Sequence, residues 1–300
     1  MPCQAPIPAW RPANGGPLKF RQPTDGRAYN KMEVPCGTCI LCREEQARQT
    51  AVRIYHEAQL HADNCFLTLT YDDEHLPPHG SLRYADLVKF WKRLRKLVAR
   101  RSKTDRTTMP TLRYYAVGEY GDRTLRPHYH ACLFGHAFLH QRILVKTDPP
   151  FLWTDLELER CWGMGQIRIG DLNFATARYT ASYICKKLRK KQRYVWTDEE
   201  TGELIALEQP RAFMSKNLGK GWWHQWYQQT IDHDHVVIDG RPQKPPKAYD
   251  RWLGEAKPET LEKIKEERRE YATANAKTED QTHARAQNAH ARAKNKTKMF

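Results

Sequence analysis

No run of about 18 apolar residues occurs in this 300-residue sequence, so nothing in it reads as a membrane-spanning helix. The first residues, MPCQAPIPAW, lack a charged segment followed by an apolar one and do not read as a secretory signal. Without an export signal, the eight cysteines are expected as reduced thiols, some available to a metal, rather than as a disulfide framework. No G-x-x-x-x-G-K-[ST] loop is found, which removes the sequence sign of a helicase or other nucleotide-driven motor. No internal repeat is found, and no acidic residue occurs between Leu87 and Thr104.

What is present is positive charge and aromatic mass. Fifty Lys and Arg face 35 Asp and Glu, a formal charge of +15 with a pI near 9.5. Such a surplus suits a polyanionic partner, nucleic acid before an anionic membrane. Nine Trp, fourteen Tyr and nine Phe can fill a core although only 40% of residues are apolar.

Seven prolines in residues 1–35 predict an extended arm with little structure of its own. Cys36, Cys39 and Cys42 then form a C-x2-C-x2-C cluster, and Cys3 supplies a fourth thiolate if the arm folds back. Tetrahedral zinc and plain reduced cysteines both fit that pattern, and an iron–sulfur set is a further, incomplete match. Residues 43–63 place Ala47, Ala51, Ile54, Ala58 and Leu60 at a helical period, and Cys65–Tyr71 reads as a strand. Over 84–101, Leu87, Phe90, Trp91, Leu94, Leu97 and Val98 line one side of a helix. Its other side is basic and includes Lys92, Arg93 and Lys96, which we expect to meet phosphates.

Leu112–Glu119 reads as a strand that returns through a turn at Tyr120-Gly121-Asp122 into Arg126-Pro127-His128-Tyr129-His130-Ala131-Cys132-Leu133-Phe134. Alternation puts His128 and His130 on one face about 6–7 Å apart, with Tyr129 on the other. Two imidazoles so placed reach one divalent cation, and Glu119 on the neighbouring strand is the expected third ligand. Residues 136–165 read as a loop-rich insertion and 166–170 as a strand. A helix capped by Asp171 or Asn173 is expected to run to about Arg193. Within it Tyr179, Tyr183 and Lys187 are spaced i, i+4, i+8, one face of a helix, with Lys186 alongside.

A phenol is a poor nucleophile near neutrality. It becomes useful where a metal polarises a phosphodiester and Lys187 or Lys186 favours the phenolate. Arg126, Arg189 and Lys190 join Lys92, Arg93 and Lys96 as candidate DNA contacts. The element order predicts an α+β fold with an antiparallel sheet. The expected organisation is an arm with the cysteine cluster over 1–42, a catalytic domain over 43–193, an extension with Trp222, Trp223 and Trp226 over 194–256, and a charged helix with a disordered basic tail over 257–300.

His-Tyr-His on a strand plus a paired-tyrosine helix resembles the HUH endonuclease superfamily. PCGTCILCR, NCFLTLTYDDEHLP, KRLRK, GEYGD, RPHYHACLFG and RYTASYICKK together resemble the replication initiators of microviruses, of the gokushovirus type. The resemblance covers roughly residues 34–255. It implies the HUH fold, a central antiparallel sheet flanked by helices, and Mg2+ or Mn2+ at His128, His130 and Glu119, although imidazole ligands also suit Zn2+. It implies site- and strand-specific nicking of double-stranded replicative-form DNA at the origin, through a 5′-phosphotyrosine at Tyr179 or Tyr183 and followed by rejoining. A host polymerase would extend the free 3′-OH and a host helicase or supercoiling would part the strands, in the cytoplasm of an infected bacterium. The contrasting readings are a non-catalytic DNA-binding or packaging protein with a structural zinc cluster, and a metal phosphoesterase that uses water.

Overall fold

A computed structural model describes residues 3–106, 108–121, 124–187 and 194–296, with the side chains of 184–187 and 293–296 left aside. The chain starts with β1 (Ile7–Pro12), β2 (Tyr29–Val34) and α1 (Ile40–Ala58). β3 (Asn64–Thr70), α2 (Tyr84–Thr104), β4 (Arg113–Tyr120) and β5 (Pro127–Phe134) follow. Next come β6 (Ile143–Lys146), β7 (Leu152–Thr154), α3 (Leu156–Trp162), β8 (Ile167–Gly170) and α4 (Phe174–Lys187). The small strands β9 (Val195–Thr197), β10 (Leu204–Ala206) and β11 (Ala212–Met214) precede α5 (Lys220–His233). The hairpin of β12 (Val236–Ile238) and β13 (Arg241–Gln243) leads to α6 (Lys247–Ala256), α7 (Pro258–Ala274) and α8 (Glu279–Lys296). Among the described residues no helix is long and apolar enough to cross a membrane. Two compact units result, residues 48–261 and residues 1–47 with 262–300.

The larger unit is built on a seven-stranded antiparallel sheet in the order β11-β4-β5-β3-β8-β7-β6, so the expected α+β architecture is present. Its strands are sided by alternation. Leu67 and Leu69, Tyr129, Ala131 and Leu133, and Ile167 and Ile169 bury one face against Leu87, Phe90, Trp91 and Leu94 of α2 and Leu158 and Trp162 of α3. Each fully buried Leu or Phe contributes roughly 1.5–3 kcal/mol, so this face is where the unit's stability is concentrated. Gly118 lies on that face, where an added Cβ would stand 2.8 Å from the Tyr84 ring; the packing demands glycine. α4 lies against β4 and β5 on the opposite face, where Cys132 Sγ meets Thr180 Oγ1 at 3.7 Å.

Three expectations change. The proline-rich arm is not featureless: β1 and β2 pair antiparallel from Ile7↔Val34 to Pro12↔Tyr29. Proline is tolerated in a strand that has a free edge, and both strands of a two-stranded ribbon have one. The insertion over 136–165 holds β6, β7 and α3, which extend and cover the sheet. The basic tail is helical through α8, where Ala286 and Ala289 are buried with Leu41. Its start is a reciprocal capping box, with Gln281 N donating to Thr278 Oγ1 at 3.2 Å and Thr278 N to Gln281 Oε1 at 3.4 Å.

Candidate active site

The site grows out of the strand register. Glu119 pairs directly with His128, and Val117 with His130, across β4 and β5. On the other side Thr68 and Thr70 of β3 pair with His130 and His128. The β4–β5 turn is closed by Gly121 N donating to Arg126 O at 3.0 Å. Tyr129 points to the core face, where its hydroxyl lies 3.1 Å from Tyr71 Oη and accepts from Arg83 N at 2.9 Å.

On the site face both imidazoles turn Nε2 toward one carboxylate oxygen. His128 Nε2 lies 2.6 Å and His130 Nε2 3.4 Å from Glu119 Oε1. The Nδ1 atoms are engaged elsewhere, that of His128 with Arg126 O at 3.1 Å and that of His130 with Thr68 Oγ1 at 3.0 Å. Such outer partners fix ring orientation in metal-binding histidines. Burial works to raise the Glu119 carboxyl, but the imidazole hydrogen bonds outweigh it and hold it at about 2, so the group is a carboxylate. Its second oxygen, Oε2, is buried without a hydrogen-bond partner among the described residues. One donor atom from each of the three residues falls within a 4.8 Å span. A buried carboxylate beside two converging imidazole nitrogens is a donor set that fits a divalent cation.

α4 brings the phenols. Asn173 caps it by accepting from Thr176 N at 2.9 Å. Ala177, Thr180 and Ala181 are buried, and their small side chains let the helix approach the sheet. The Tyr183 ring stacks on His130 with centroids 4.9 Å apart and planes 14° from parallel. Tyr179 meets the same imidazole edge-on at 5.6 Å, and the two phenol rings lie 4.5 Å apart. Phe66 flanks His130 at 5.4 Å and Tyr179 at 6.3 Å. Glu119, His128, His130, Tyr179 and Tyr183 therefore form one cluster on one face.

The other expected residues are placed as follows. Lys186 and Lys187 are the last two residues of α4; their side chains lie outside what the structure describes, as do Arg189, Lys190 and the helix end expected near Arg193. Arg126 braces the strand entry, donating to Tyr71 O at 2.9 and 3.2 Å and to Asp73 at 2.7 Å. Lys92, Arg93 and Lys96 sit on α2, which covers the sheet face opposite the histidines. Arg93 donates to the carbonyls of Cys161 and Trp162 at the end of α3, while Lys92 and Lys96 are exposed. Cys3, Cys36, Cys39 and Cys42 gather in the smaller unit.

Sequence reasoning missed Thr68, the support of His130, and Arg168, which pairs with Thr68 from β8 and so shares the cross-strand row of His130. Both become visible only when the strand register is known.

A family model described as replication-associated protein ORF2/G2P matches residues 64–201. The chain is similar to replication-associated protein VP4 of Bdellovibrio phage phiMH2K, 33% identical over 262 residues that cover 86% of this chain and 79% of that one. It is similar to replication-associated protein ORF2 of Spiroplasma virus 4, 29% identical across 91% of this chain and 87% of that one. Replication-associated protein ORF4 of Chlamydia phage 1 is 26% identical across 69% of this chain and 50% of that one. No solved structure matches.

Proposed function

Because this chain belongs to the microvirus replication initiators, the family of these replication-associated phage proteins, we propose that it starts rolling-circle replication as an HUH-type tyrosine nuclease. It would nick and rejoin one strand of the double-stranded replicative-form DNA at the origin. The observation that carries this reading is the packing of two tyrosine rings on His130 of the Glu119–His128–His130 trio. A phosphate bound at the trio lies next to two phenols, and few other chemistries call for that pairing.

His128 Nε2, His130 Nε2 and Glu119 would hold Mg2+ or Mn2+, which when bound polarises a non-bridging oxygen of the scissile phosphate. The protein's own residues do the rest. The phenol oxygen of Tyr179 or Tyr183 attacks phosphorus and loses its proton, and the bond from phosphorus to O3′ breaks. O3′ takes up a proton and leaves as a free 3′-OH, while the 5′-phosphate stays esterified to tyrosine. One phosphate ester replaces another, so the energy for rejoining is retained. The second phenol, one helical turn away, attacks a later phosphate while the first is still esterified. Lys187 and Lys186, at the end of the same helix, favour the phenolate form. Thr68 and the carbonyl of Arg126 keep the imidazoles turned toward the ligand position.

A host polymerase extending the 3′-OH and a host helicase parting the strands complete the reaction in the cytoplasm of the infected bacterium. The test is a labelled origin oligonucleotide run under denaturing conditions. DNA covalently attached to protein is the expected product, and Tyr179→Phe with Tyr183→Phe should abolish it while DNA binding persists. Free cut ends without an adduct indicate water as the nucleophile, and intact DNA indicates a binding protein; either result overturns the proposal.

A further inference from the structure

The family model begins at residue 64, so the cysteine cluster at the start of the chain lies outside it and is argued independently of the nuclease reading. We infer that Cys3, Cys36, Cys39 and Cys42 form a tetrathiolate zinc site that clamps the open end of the β1–β2 ribbon to the first turn of α1.

The geometry comes first. All four sulfurs lie within 4.8 Å of one another, and Cys3 Sγ and Cys39 Sγ are 4.0 Å apart. A tetrahedron with Zn–S bonds of about 2.3 Å has sulfur–sulfur edges of about 3.8 Å. One edge at 4.0 Å, the rest within 4.8 Å, and no disulfide among the four fit such a tetrahedron closely. A cluster of several irons, with thiolates on different metal atoms, holds its sulfurs further apart.

The backbone around the sulfurs supplies donors. Cys36 N donates to Cys3 Sγ at 3.3 Å, Cys39 N to Cys36 Sγ at 3.4 Å, and Thr38 Oγ1 to Cys36 Sγ at 3.7 Å. Hydrogen bonds of this kind stabilise negative sulfur. Gly37 makes the tight turn that aims them, with φ of 75°, a conformation that favours glycine.

The placement explains why the site is needed. Ile7↔Val34 is the last pair at the open end of the ribbon; Cys3 lies before it and Cys36 after it. Cys39 precedes α1, and Cys42 lies in its first turn. The ribbon is a sheet of only two strands, and Ala9 is its one fully buried residue. Such a hairpin is marginal on apolar burial alone, and a structural metal is a common remedy. Zinc would displace the thiol protons and tie three segments together.

Metal analysis of the full-length protein after gel filtration tests this. About one zinc per chain is expected to remain bound without added metal. It should survive His128→Ala, which separates this site from the trio, and be lost in Cys36→Ser with Cys39→Ser. A thiol-reactive mercurial should release it from the unmodified protein, a readout that does not depend on a variant folding. Cobalt exchanged into the intact chain should show thiolate-to-metal charge-transfer absorption. Four freely reactive thiols in a zinc-free native protein, unchanged zinc in the cysteine double variant, or iron with inorganic sulfide would each overturn the assignment.

Discussion

His56 should make the larger unit acid-sensitive, by an amount the structure sets. Its ring is fully buried in α1, stacked on Trp222 with centroids 3.5 Å apart, and its Nδ1 lies 2.7 Å from Tyr249 Oη. Nε2 is buried with no hydrogen-bond partner among the described residues. Burial therefore depresses the imidazole from 6.5 to about 3, and it stays neutral in the folded protein. Between those two values the unfolded chain binds a proton that the folded chain refuses. The contribution is full above pH 6.5 and falls away as the pH drops toward 3. The difference of roughly 3.5 units corresponds to about 5 kcal/mol in total, of which about 2 kcal/mol is gone by pH 5. Burial lowers His136 as well, which adds loss of the same sign. Urea unfolding followed by tryptophan fluorescence from pH 7.5 to 5 measures this. His56→Phe keeps a stacking ring and should lose most of the pH slope, whatever its absolute stability. Equal slopes in the two proteins would refute the reasoning.

Glu57 is a buried carboxylate that accepts from the Arg113 guanidinium, from Gly219 N at 2.7 Å and from His61 Nε2 at 3.2 Å. Glu57→Ala leaves that guanidinium without its anion and should destabilise the larger unit by about 3–5 kcal/mol in urea unfolding. Lys92 and Lys96 are exposed on α2, away from the histidines. If both meet phosphates, Lys92→Ala with Lys96→Ala should make the plot of log affinity against log salt shallower by about 1.8 and spare the nicking rate at saturating DNA. An unchanged salt slope would show that α2 does not touch the duplex.

The parts of the fold that were legible are those with a clear period. Apolar residues at helical spacing marked α2, and alternation in β5 put His128 and His130 opposite Tyr129 before any contact was known. The hairpin turn brought Glu119 beside the histidine strand, and Asp171 or Asn173 marked the start of α4, of which the structure uses Asn173. Illegible features depended on partners distant in sequence. Arg93 read as part of a face for phosphates, yet it donates to the last carbonyls of α3, and on the same helix Arg100 and Arg101 pair with Glu157. Spacing did not fix Cys3 to the cluster, because the ribbon that returns it carries Pro8 and Pro12 in β1, with Pro6 and Pro35 just outside its strands. Thr278 and Gln281 did carry a local signal, a capping box, but the charge of the segment overshadowed it.

The site's weakest dependence on sequence is the distance between its two halves, since the ligands stand on the sheet and the phenols on a helix. Ala177, Thr180 and Ala181 set that distance, at spacing i, i+3, i+4 on the face of α4 that meets Cys132. Ala177→Leu adds volume where none is free and should destabilise the unit by about 1–3 kcal/mol, partly by lifting the helix. The trio belongs to β4 and β5, so if it holds the proposed cation, the thermal shift with added Mn2+ should be that of the parent protein. The phenols move with α4, and a displacement of about 1 Å is enough to slow a positioned reaction roughly 100-fold. Covalent adduct formation should therefore fall by that order at a temperature where circular dichroism shows the variant folded, while thermal shifts with Mn2+ match the parent protein. Adduct formation at the parental rate would mean that the tyrosines reach the phosphate without depending on how closely α4 packs, and the spatial basis of the nuclease reading would fail.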